Sequence, residues 1–367
     1  MSAPAPFRFG LVGAGRIAET YAQAFAGLAA EGAAPIAVLA AVADVRPEAA
    51  AALAGRLGCP AFESYRAMSM AMSGPRALDA VVVCTPPVTH PEIALHFLRR
   101  GVHVLCEKPL SIDIRSARLM AYGARRSGAL LAMASKFRYA EDVIRARRLV
   151  EAGTIGELVE VENSFTSRVA MAARWNSDPA LSGGGVLIDN GTHSVDLVRL
   201  FLGALSEVQV VEGARLQGLA VEETVRLFVR GTGGAGGAMA SIDLSWSVSR
   251  EADAYLTLYG TAGVIQVGWR ESRYRASGSG WVPFGAGYDK LQAFRSQIGN
   301  FVRAVRGEEE MRITMEDALA SVEVVEAAYR SLHRSLQGGR WTAVGPGPDG
   351  RRRSLALVSG MAAGERA

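Results

Sequence analysis

Residues 7–18 read Phe-Arg-Phe-Gly-Leu-Val-Gly-Ala-Gly-Arg-Ile-Ala, and this stretch decides the fold of the first part of the chain. A short apolar run at 9–12 ends in a G-x-G-x-x-A sequence that opens an amphipathic segment at 17–28. Between a strand and a helix, the first glycine makes the tight turn and the second lets a pyrophosphate approach the backbone. The predicted phosphate-binding loop comprises Gly13, Ala14, Gly15, Arg16 and Ile17.

The alternation of apolar runs with amphipathic stretches continues to residue 134. Further apolar runs lie at 36–43, 80–84, 102–106 and 129–134, and helical patterns separate them. Continuous apolar runs of this kind are typical of strands that are buried on both faces of a parallel sheet. The pattern predicts a doubly wound α/β domain over residues 1–134.

Beyond residue 134 the pattern changes to apolar residues at every second position. Segments with this period lie at 158–166, 206–211, 223–229, 238–246 and 254–259. Amphipathic helices are predicted before them, at 137–152, and after them, at 316–336. Residues 135–345 are therefore predicted to form an α+β domain with a large, mainly antiparallel sheet that leaves one face open, followed by a flexible tail at 346–367.

Composition limits the classes of protein to which the chain can belong. With 367 residues, 49% of them hydrophobic, it can bury the cores of two domains. The net charge of +4 includes no basic face interleaved with aromatic residues, which argues against nucleic-acid binding. The apolar runs are too short to cross a membrane, and the start does not resemble a signal peptide. Three cysteines without metal-ligand spacing predict neither a metal site nor disulfides, so a cytoplasmic location is expected.

An acidic residue, Asp44, ends the second predicted strand. Such a residue bonds the adenosine ribose in dinucleotide-binding domains and repels a 2′-phosphate, so NAD is the expected cofactor. Asp44 lies farther from Gly15 than the usual spacing of about 20 residues, and an insertion at 31–35 accounts for the excess. Arg46, two residues on, is able to pair with a 2′-phosphate instead, which leaves NADP open.

Two further segments carry reactive side chains. Lys108 follows the predicted strand 102–106, at the sheet edge where doubly wound folds bind ligands. The alternative is a solvent-exposed surface lysine with no role in binding. Asp189 and His193 are four residues apart, so a helix would place them on one face. A histidine beside a carboxylate is the usual general base, whereas the alternative is a capping aspartate and a core histidine. Gly191 between them suggests that a ring approaches the backbone there.

Taken together, these residues resemble the glucose-fructose oxidoreductase, inositol dehydrogenase and rhizopine-catabolism family (Gfo/Idh/MocA). The resemblance covers residues 7–345. Its motifs are residues 13–18, Thr85-Pro86-Pro87 with His90, Glu107-Lys108-Pro109, Arg174-Trp175, the glycines at 183–185, and the D-x-G-x-H pattern at 189–193.

The resemblance implies a Rossmann domain followed by a C-terminal α/β domain whose open sheet face forms a homodimer, often within a homotetramer. It implies that His193 is the base, that Asp189 is its partner and a substrate ligand, and that Lys108 contacts substrate and nicotinamide. Arg174 and Trp175 would line the sugar site. The residues implied on the cofactor side are Thr85, Pro86, Pro87, His90 and Glu107. Residues 136–138 depart from the family pattern, in which an asparagine or arginine often lies near the substrate.

The expected function is that of an NAD(P)-dependent oxidoreductase that transfers hydride at a hydroxyl or keto carbon of a sugar or cyclitol. Alternatives are an NADPH-dependent keto-sugar reductase and a relative that cleaves glycosides with tightly held NAD. A silent dinucleotide-binding regulator is the alternative outside the enzymes. Lys108, Asp189 and His193 argue against it, because a sensor needs none of the three.

Overall fold

The computed structural model describes residues 5–30, 35–232, 237–335 and 342–343. The predicted tail at 346–367 and most of the glycine-rich turn at 231–237 lie outside the described residues. Within the described ranges, no helix has the length and apolar character that a membrane span requires.

The first sheet has six parallel strands. They are β1 (Phe7–Val12), β2 (Ala37–Ala43), β3 (Ala61–Phe62), β4 (Ala80–Val83), β5 (His103–Glu107) and β6 (Leu131–Ala134). Their order is β3-β2-β1-β4-β5-β6, so the chain reverses its direction of winding between β1 and β4. Ligands of such sheets bind at the carboxyl ends of the strands beside this reversal. The prediction of a doubly wound α/β domain is confirmed.

Helices cover both faces of this sheet. They are α1 (Arg16–Ala30), α2 (Pro47–Leu57), α3 (Tyr65–Ala71), α4 (His90–Leu98) and α5 (Ile114–Ser127). Apolar side chains of α1 and α2 share one core cluster with the sheet, and those of α3, α4 and α5 share another. This arrangement explains why the strands read as continuous apolar runs.

The second sheet is larger and mostly antiparallel. Its strands are β7 (Leu158–Thr166), β8 (Leu205–Glu212), β9 (Thr224–Gly231), β10 (Met239–Ser245), β11 (Ala254–Gly260), β12 (Gly263–Gly268), β13 (Ser272–Ala276), β14 (Val282–Gly285) and β15 (Thr342–Ala343). The order is β14-β13-β12-β11-β7-β10-β9-β8-β15. β7 and β10 pair in parallel, and the other neighbours pair antiparallel. The predicted α+β architecture is confirmed.

Five helices accompany the second sheet in the sequence. They are α6 (Glu141–Glu151), α7 (Pro179–Ser182), α8 (Val186–Leu202), α9 (Lys290–Val305) and α10 (Met315–Ser335). α8 and α10 share a core cluster with one face of the sheet. On β9, Val225 and Val229 are buried on that side, whereas Arg226 and Arg230 are exposed on the other. The second sheet therefore keeps one face free of its own helices within the described residues.

Two helices differ from the sequence-based expectation. α9 was not predicted, and it buries Phe294, Ile298 and Phe301 in the core of the first domain. The helix predicted at 137–152 begins only at Glu141, because residues 136–139 form a 3-10 turn and Ala140 is extended. The boundary at residue 134 stays a prediction, but the chain returns to the first sheet long after it.

Candidate active site

The glycine loop lies at the carboxyl end of β1 and leads into α1. Gly13 has a φ of +98°, and a Cβ there would lie 2.9 Å from the backbone of Cys84, so only glycine fits this turn. A Cβ at Gly15 would meet nothing within 4 Å, so the backbone there faces open space. Ile17 is partly buried against the core cluster of α1 and the sheet, and Arg16 is exposed. The geometry fits a loop that carries a pyrophosphate on the amino end of α1.

Asp44 lies against the glycine loop despite its long sequence separation from it. Its Oδ2 accepts the Ala14 N–H at 2.6 Å, and its Oδ1 accepts the Arg46 backbone N–H at 2.8 Å. Burial raises the pKa of Asp44, but the bonds from Ala14 and Arg46 outweigh it and hold the pKa below its ordinary value. The carboxylate is therefore charged at neutral pH. Arg46 pairs with it through Nε at 3.2 Å, so Arg46 would have to leave Asp44 to reach a 2′-phosphate.

The turn after β4 faces the glycine loop. A Cβ on Gly13 would lie 3.1 Å from the Thr85 backbone nitrogen, which measures how closely the two turns approach. The Thr85 hydroxyl lies 2.7 Å from that of Thr89, and a short 3-10 turn begins at the buried Pro87. Pro86 caps that turn through its carbonyl, which accepts the Thr89 hydroxyl. These residues lie beside the glycine loop at the carboxyl edge of the first sheet, a region called the cleft below. Their predicted role on the cofactor side remains a prediction.

Lys108, at the carboxyl end of β5, contacts helix α8 of the second domain. Its Nζ donates to Asp189 Oδ1 at 2.5 Å and to the Asp189 carbonyl at 2.9 Å. The side chains are 14% and 23% exposed, so the pair is mostly buried but still reaches solvent. The first turn of α8 and the end of β5 are thus joined by an ion pair.

His193 lies one turn beyond Asp189 on α8 and is 6% exposed. Its Nδ1 is buried without a hydrogen-bond partner among the described residues, and the ring of Phe137 meets it edge to face at 5.1 Å. Burial lowers the pKa of His193 well below the usual value, and the nearby ammonium groups of Lys108 and Lys136 lower it further. The imidazole is therefore neutral at neutral pH and able to accept a proton.

The expected pairing of Asp189 with His193 is wrong. The four-residue spacing does place them on one face of α8, but the Asp189 carboxylate bonds Lys108, and no hydrogen bond joins it to the imidazole in the described structure. Asp189 holds the lysine rather than the histidine.

The side chain of Glu107 is buried next to Lys108, in a hydrogen-bond network that the sequence did not predict. Its Oε1 accepts the Tyr21 hydroxyl at 2.9 Å, and Gln297 donates to that hydroxyl at 3.0 Å. Burial raises the pKa of Glu107, while the charges of Lys108 and Lys136 oppose the rise. The network joins α1, β5 and α9 next to Lys108.

Lys136 is the site residue to which sequence analysis assigned no role. It follows β6 at the same sheet edge as Lys108, and its Nζ makes no hydrogen bond or ion pair with any described residue. The ring of Phe137 lies 5.3 Å from the nitrogen, and the charges of Lys108, Glu107 and Asp189 are near enough to shift the pKa of Lys136. Burial lowers the pKa of Lys136 to about 8, and Lys108 contributes to the shift. The sequence feature that could have indicated a role for Lys136 is its position two residues after a predicted parallel strand.

Arg174 and Trp175 lie in the segment between β7 and α7. Arg174 is half-buried and Trp175 is 42% exposed, at the start of a 3-10 turn. The segment leads into α7, which packs against the turn after β4. No hydrogen bond in the described residues links either side chain to Lys108, Asp189 or His193, so their predicted role in substrate binding remains a prediction.

The glycines before α8 serve packing. A Cβ on Gly184 would overlap the Tyr329 hydroxyl, and one on Gly185 would overlap the Glu222 carbonyl. The Glu222 carboxylate caps the helix by accepting the N–H groups of Gly185 and Leu187 at 2.9 and 3.1 Å. Buried polar contacts thus fix the helix that carries Asp189 and His193.

Gly191 also has a packing explanation. A Cβ there would lie 3.1 Å from a methyl group of Leu244 on β10. The interpretation that this glycine admits a ligand ring is wrong, because α8 packs against the sheet at this point.

Comparison with known proteins agrees with this geometry. Residues 7–135 match the oxidoreductase family with an NAD-binding Rossmann fold, and residues 143–266 match the GFO/IDH/MocA C-terminal domain. The chain therefore belongs to the Gfo/Idh/MocA family of NAD-binding oxidoreductases, as the motifs indicate.

Two curated relatives match almost the whole chain. An inositol 2-dehydrogenase of Rhizobium meliloti (strain 1021) is 29% identical over 346 residues, which cover 90% of this chain and 98% of the relative. The rhizopine catabolism protein MocA of Rhizobium meliloti is 29% identical over 339 residues, which cover 90% and 96%. A crystal structure of a putative myo-inositol dehydrogenase from Sinorhizobium meliloti 1021 superimposes with a TM-score of 0.75 at 26% identity, covering 92% of this chain and all (100%) of that one.

Proposed function

We propose that this protein oxidises a ring hydroxyl of a sugar, sugar derivative or cyclitol with NAD as the hydride acceptor. The observation that carries the proposal is the pair of Lys108 and Asp189 beside the buried, neutral His193, at the sheet edge where the glycine loop lies. The names of the two curated relatives and of the solved structure support a cyclitol-like or sugar-like substrate.

Each residue has a distinct task in this proposal. His193 takes the hydroxyl proton, which an imidazole with a lowered pKa holds only transiently. Lys108 donates a hydrogen bond to the same oxygen as negative charge develops there, and Asp189 holds the ammonium in place. Gly13, Gly15 and Asp44 would hold the dinucleotide. NAD, when bound, supplies the hydride acceptor.

The test is a screen of sugars, uronic acids and inositols with NAD and with NADP, in which the absorbance of reduced nicotinamide is followed. Turnover of at least one polyol with NAD is expected, and the keto forms with reduced cofactor give the reverse reaction. Binding of NAD without turnover of any polyol or keto-sugar would contradict the proposal and favour the regulator.

We also propose that the protein acts as a homo-oligomer in the cytoplasm. The open face of the second sheet carries exposed apolar side chains beside charged ones, including Tyr259, which is 37% exposed, and Val211, which is 49% exposed. A face of this kind is typical of an interface between copies. Sedimentation at micromolar concentration should give a multiple of 38.8 kDa, and a monomer alone would contradict the proposal. The three free cysteines, two of them buried, fit a reducing compartment.

A further inference from the structure

His90 connects the two turns that form the wall of the cleft, yet it has no surface in that cleft. It is the first residue of α4 and is 0% exposed. Its Nε2 lies 2.9 Å from the carbonyl oxygen of Thr85, after β4, and its Nδ1 lies 2.9 Å from that of Pro109, after β5. A ring so placed cannot contact a dinucleotide directly.

Both partners are carbonyl oxygens, which only accept hydrogen bonds. A neutral imidazole has one N–H and satisfies one carbonyl at a time, whereas both bonds together need both ring nitrogens to donate. Either way the ring spans the gap between neighbouring strand ends. Pro109 follows Lys108 directly, so the position of its carbonyl is coupled to the direction of the lysine side chain.

We propose that His90 is a positioning residue that ties the Thr85 turn to the Lys108 turn and so sets where the Lys108 ammonium lies relative to Asp189. The contact with the Pro109 carbonyl positions the lysine, and the contact with the Thr85 carbonyl positions the wall that faces the glycine loop, whichever ring nitrogen carries the proton. This inference rests on the proposed function, because it takes Lys108 as the lysine that contacts substrate.

Two conservative substitutions separate the two bonds. The amide nitrogen of asparagine falls near the position of Nδ1, so His90→Asn keeps the bond to Pro109 and loses the one to Thr85. The amide nitrogen of glutamine falls near Nε2, so His90→Gln keeps the bond to Thr85 and loses the one to Pro109.

We expect His90→Gln to lower kcat by up to about 10²-fold, the cost of a small misplacement of a reacting group, with NAD affinity near that of the wild type. We expect His90→Asn to retain most of kcat and to weaken NAD binding by about tenfold, the equivalent of one lost hydrogen bond. Calorimetric titration measures the NAD affinity without turnover, so this readout survives a failed substrate screen. Equal effects of the two variants on both readouts, or no effect of either, would overturn the inference.

The matched control is His103→Asn. His103 begins β5, at the end opposite Lys108, and its Nδ1 accepts the Leu130 N–H at 2.8 Å. Asparagine retains an acceptor for the Leu130 N–H, so this variant should leave kcat and NAD affinity unchanged.

A measurement on the wild type covers the case in which the His90 variants do not fold. In nitrogen-15 spectra of the five histidines, the ring N–H assigned to His90 should exchange slowly with solvent, as a buried donor to a carbonyl does. Rapid exchange of the His90 ring N–H would overturn the inference.

Discussion

The two sides of the cleft are built in different ways. The proposed cofactor side consists of backbone and one short side chain, with Gly13 in a conformation that favours glycine and Asp44 bonded to the loop. The proposed substrate side consists of long charged side chains that come from both domains, with Lys108 after β5 and Asp189 on α8. Local sequence determines the first side, whereas the second exists only when the two sheets are assembled.

The largest expected effect lies on the substrate side. His193→Ala should lower kcat by about 10²–10⁴-fold, the usual contribution of a positioned general base, while NAD affinity stays unchanged. Steady-state kinetics and calorimetry measure the two quantities. His333→Ala, an exposed histidine near the end of α10, is the control and should leave both unchanged. Wild-type turnover by His193→Ala would assign the base to another residue.

A smaller effect should separate the two glycines of the cofactor side. Gly13→Ala combines positive φ with overlap against Cys84 and should lower the free energy of unfolding by about 1–3 kcal/mol. Gly15→Ala has free space for its methyl group, so it should fold like the wild type and lose about 1–3 kcal/mol of NAD binding to crowding. Denaturant unfolding and calorimetry measure these quantities. Unchanged NAD affinity in Gly15→Ala would mean that the pyrophosphate lies elsewhere.

Cofactor choice should change by about tenfold on replacement of Asp44. Asp44→Ala removes a charged acceptor for the ribose and frees Arg46, so the preference for NAD over NADP should shrink by the equivalent of one hydrogen bond to a charged group. Affinities for both dinucleotides measure the ratio. A wild-type preference for NADP would show that Arg46, rather than Asp44, decides.

The smallest expected effect concerns pH. Lys136 is charged below its pKa of about 8, and we predict that its ammonium binds a substrate oxygen at neutral pH and loses its charge as pH rises through 8. KM for substrate should therefore rise severalfold above pH 8 in the wild type and stay flat in Lys136→Met. A wild-type KM that is constant from pH 7 to 9 would contradict the predicted role of Lys136.

On the acid side, the lowered pKa of His193 should keep turnover near its plateau at pH 6.5, where an ordinary histidine would already be half protonated.

The same contrast explains what the sequence predicted. The doubly wound sheet and the glycine loop could be predicted from contiguous sequence patterns, and Asp44 could be predicted from its position at the end of a predicted strand. The partner of Asp189 could not be predicted in this way, because Lys108 and His193 compete for one carboxylate. Only the packing of α8 against the end of β5 decides between them. The interpretation that Gly191 admits a ligand ring was wrong for the same reason, since its neighbour Leu244 lies on a strand that is distant in sequence.

Helix α9 has a consequence for how the chain acquires its structure. Phe294, Ile298 and Phe301 complete the apolar layer over one face of the first sheet, although nearly the whole second domain separates them from it in sequence. During synthesis, residues 1–134 leave the ribosome about 160 residues before that layer is available. The nascent first domain therefore presents an uncovered apolar surface until α9 has emerged, and its final consolidation is coupled to the folding of the second domain.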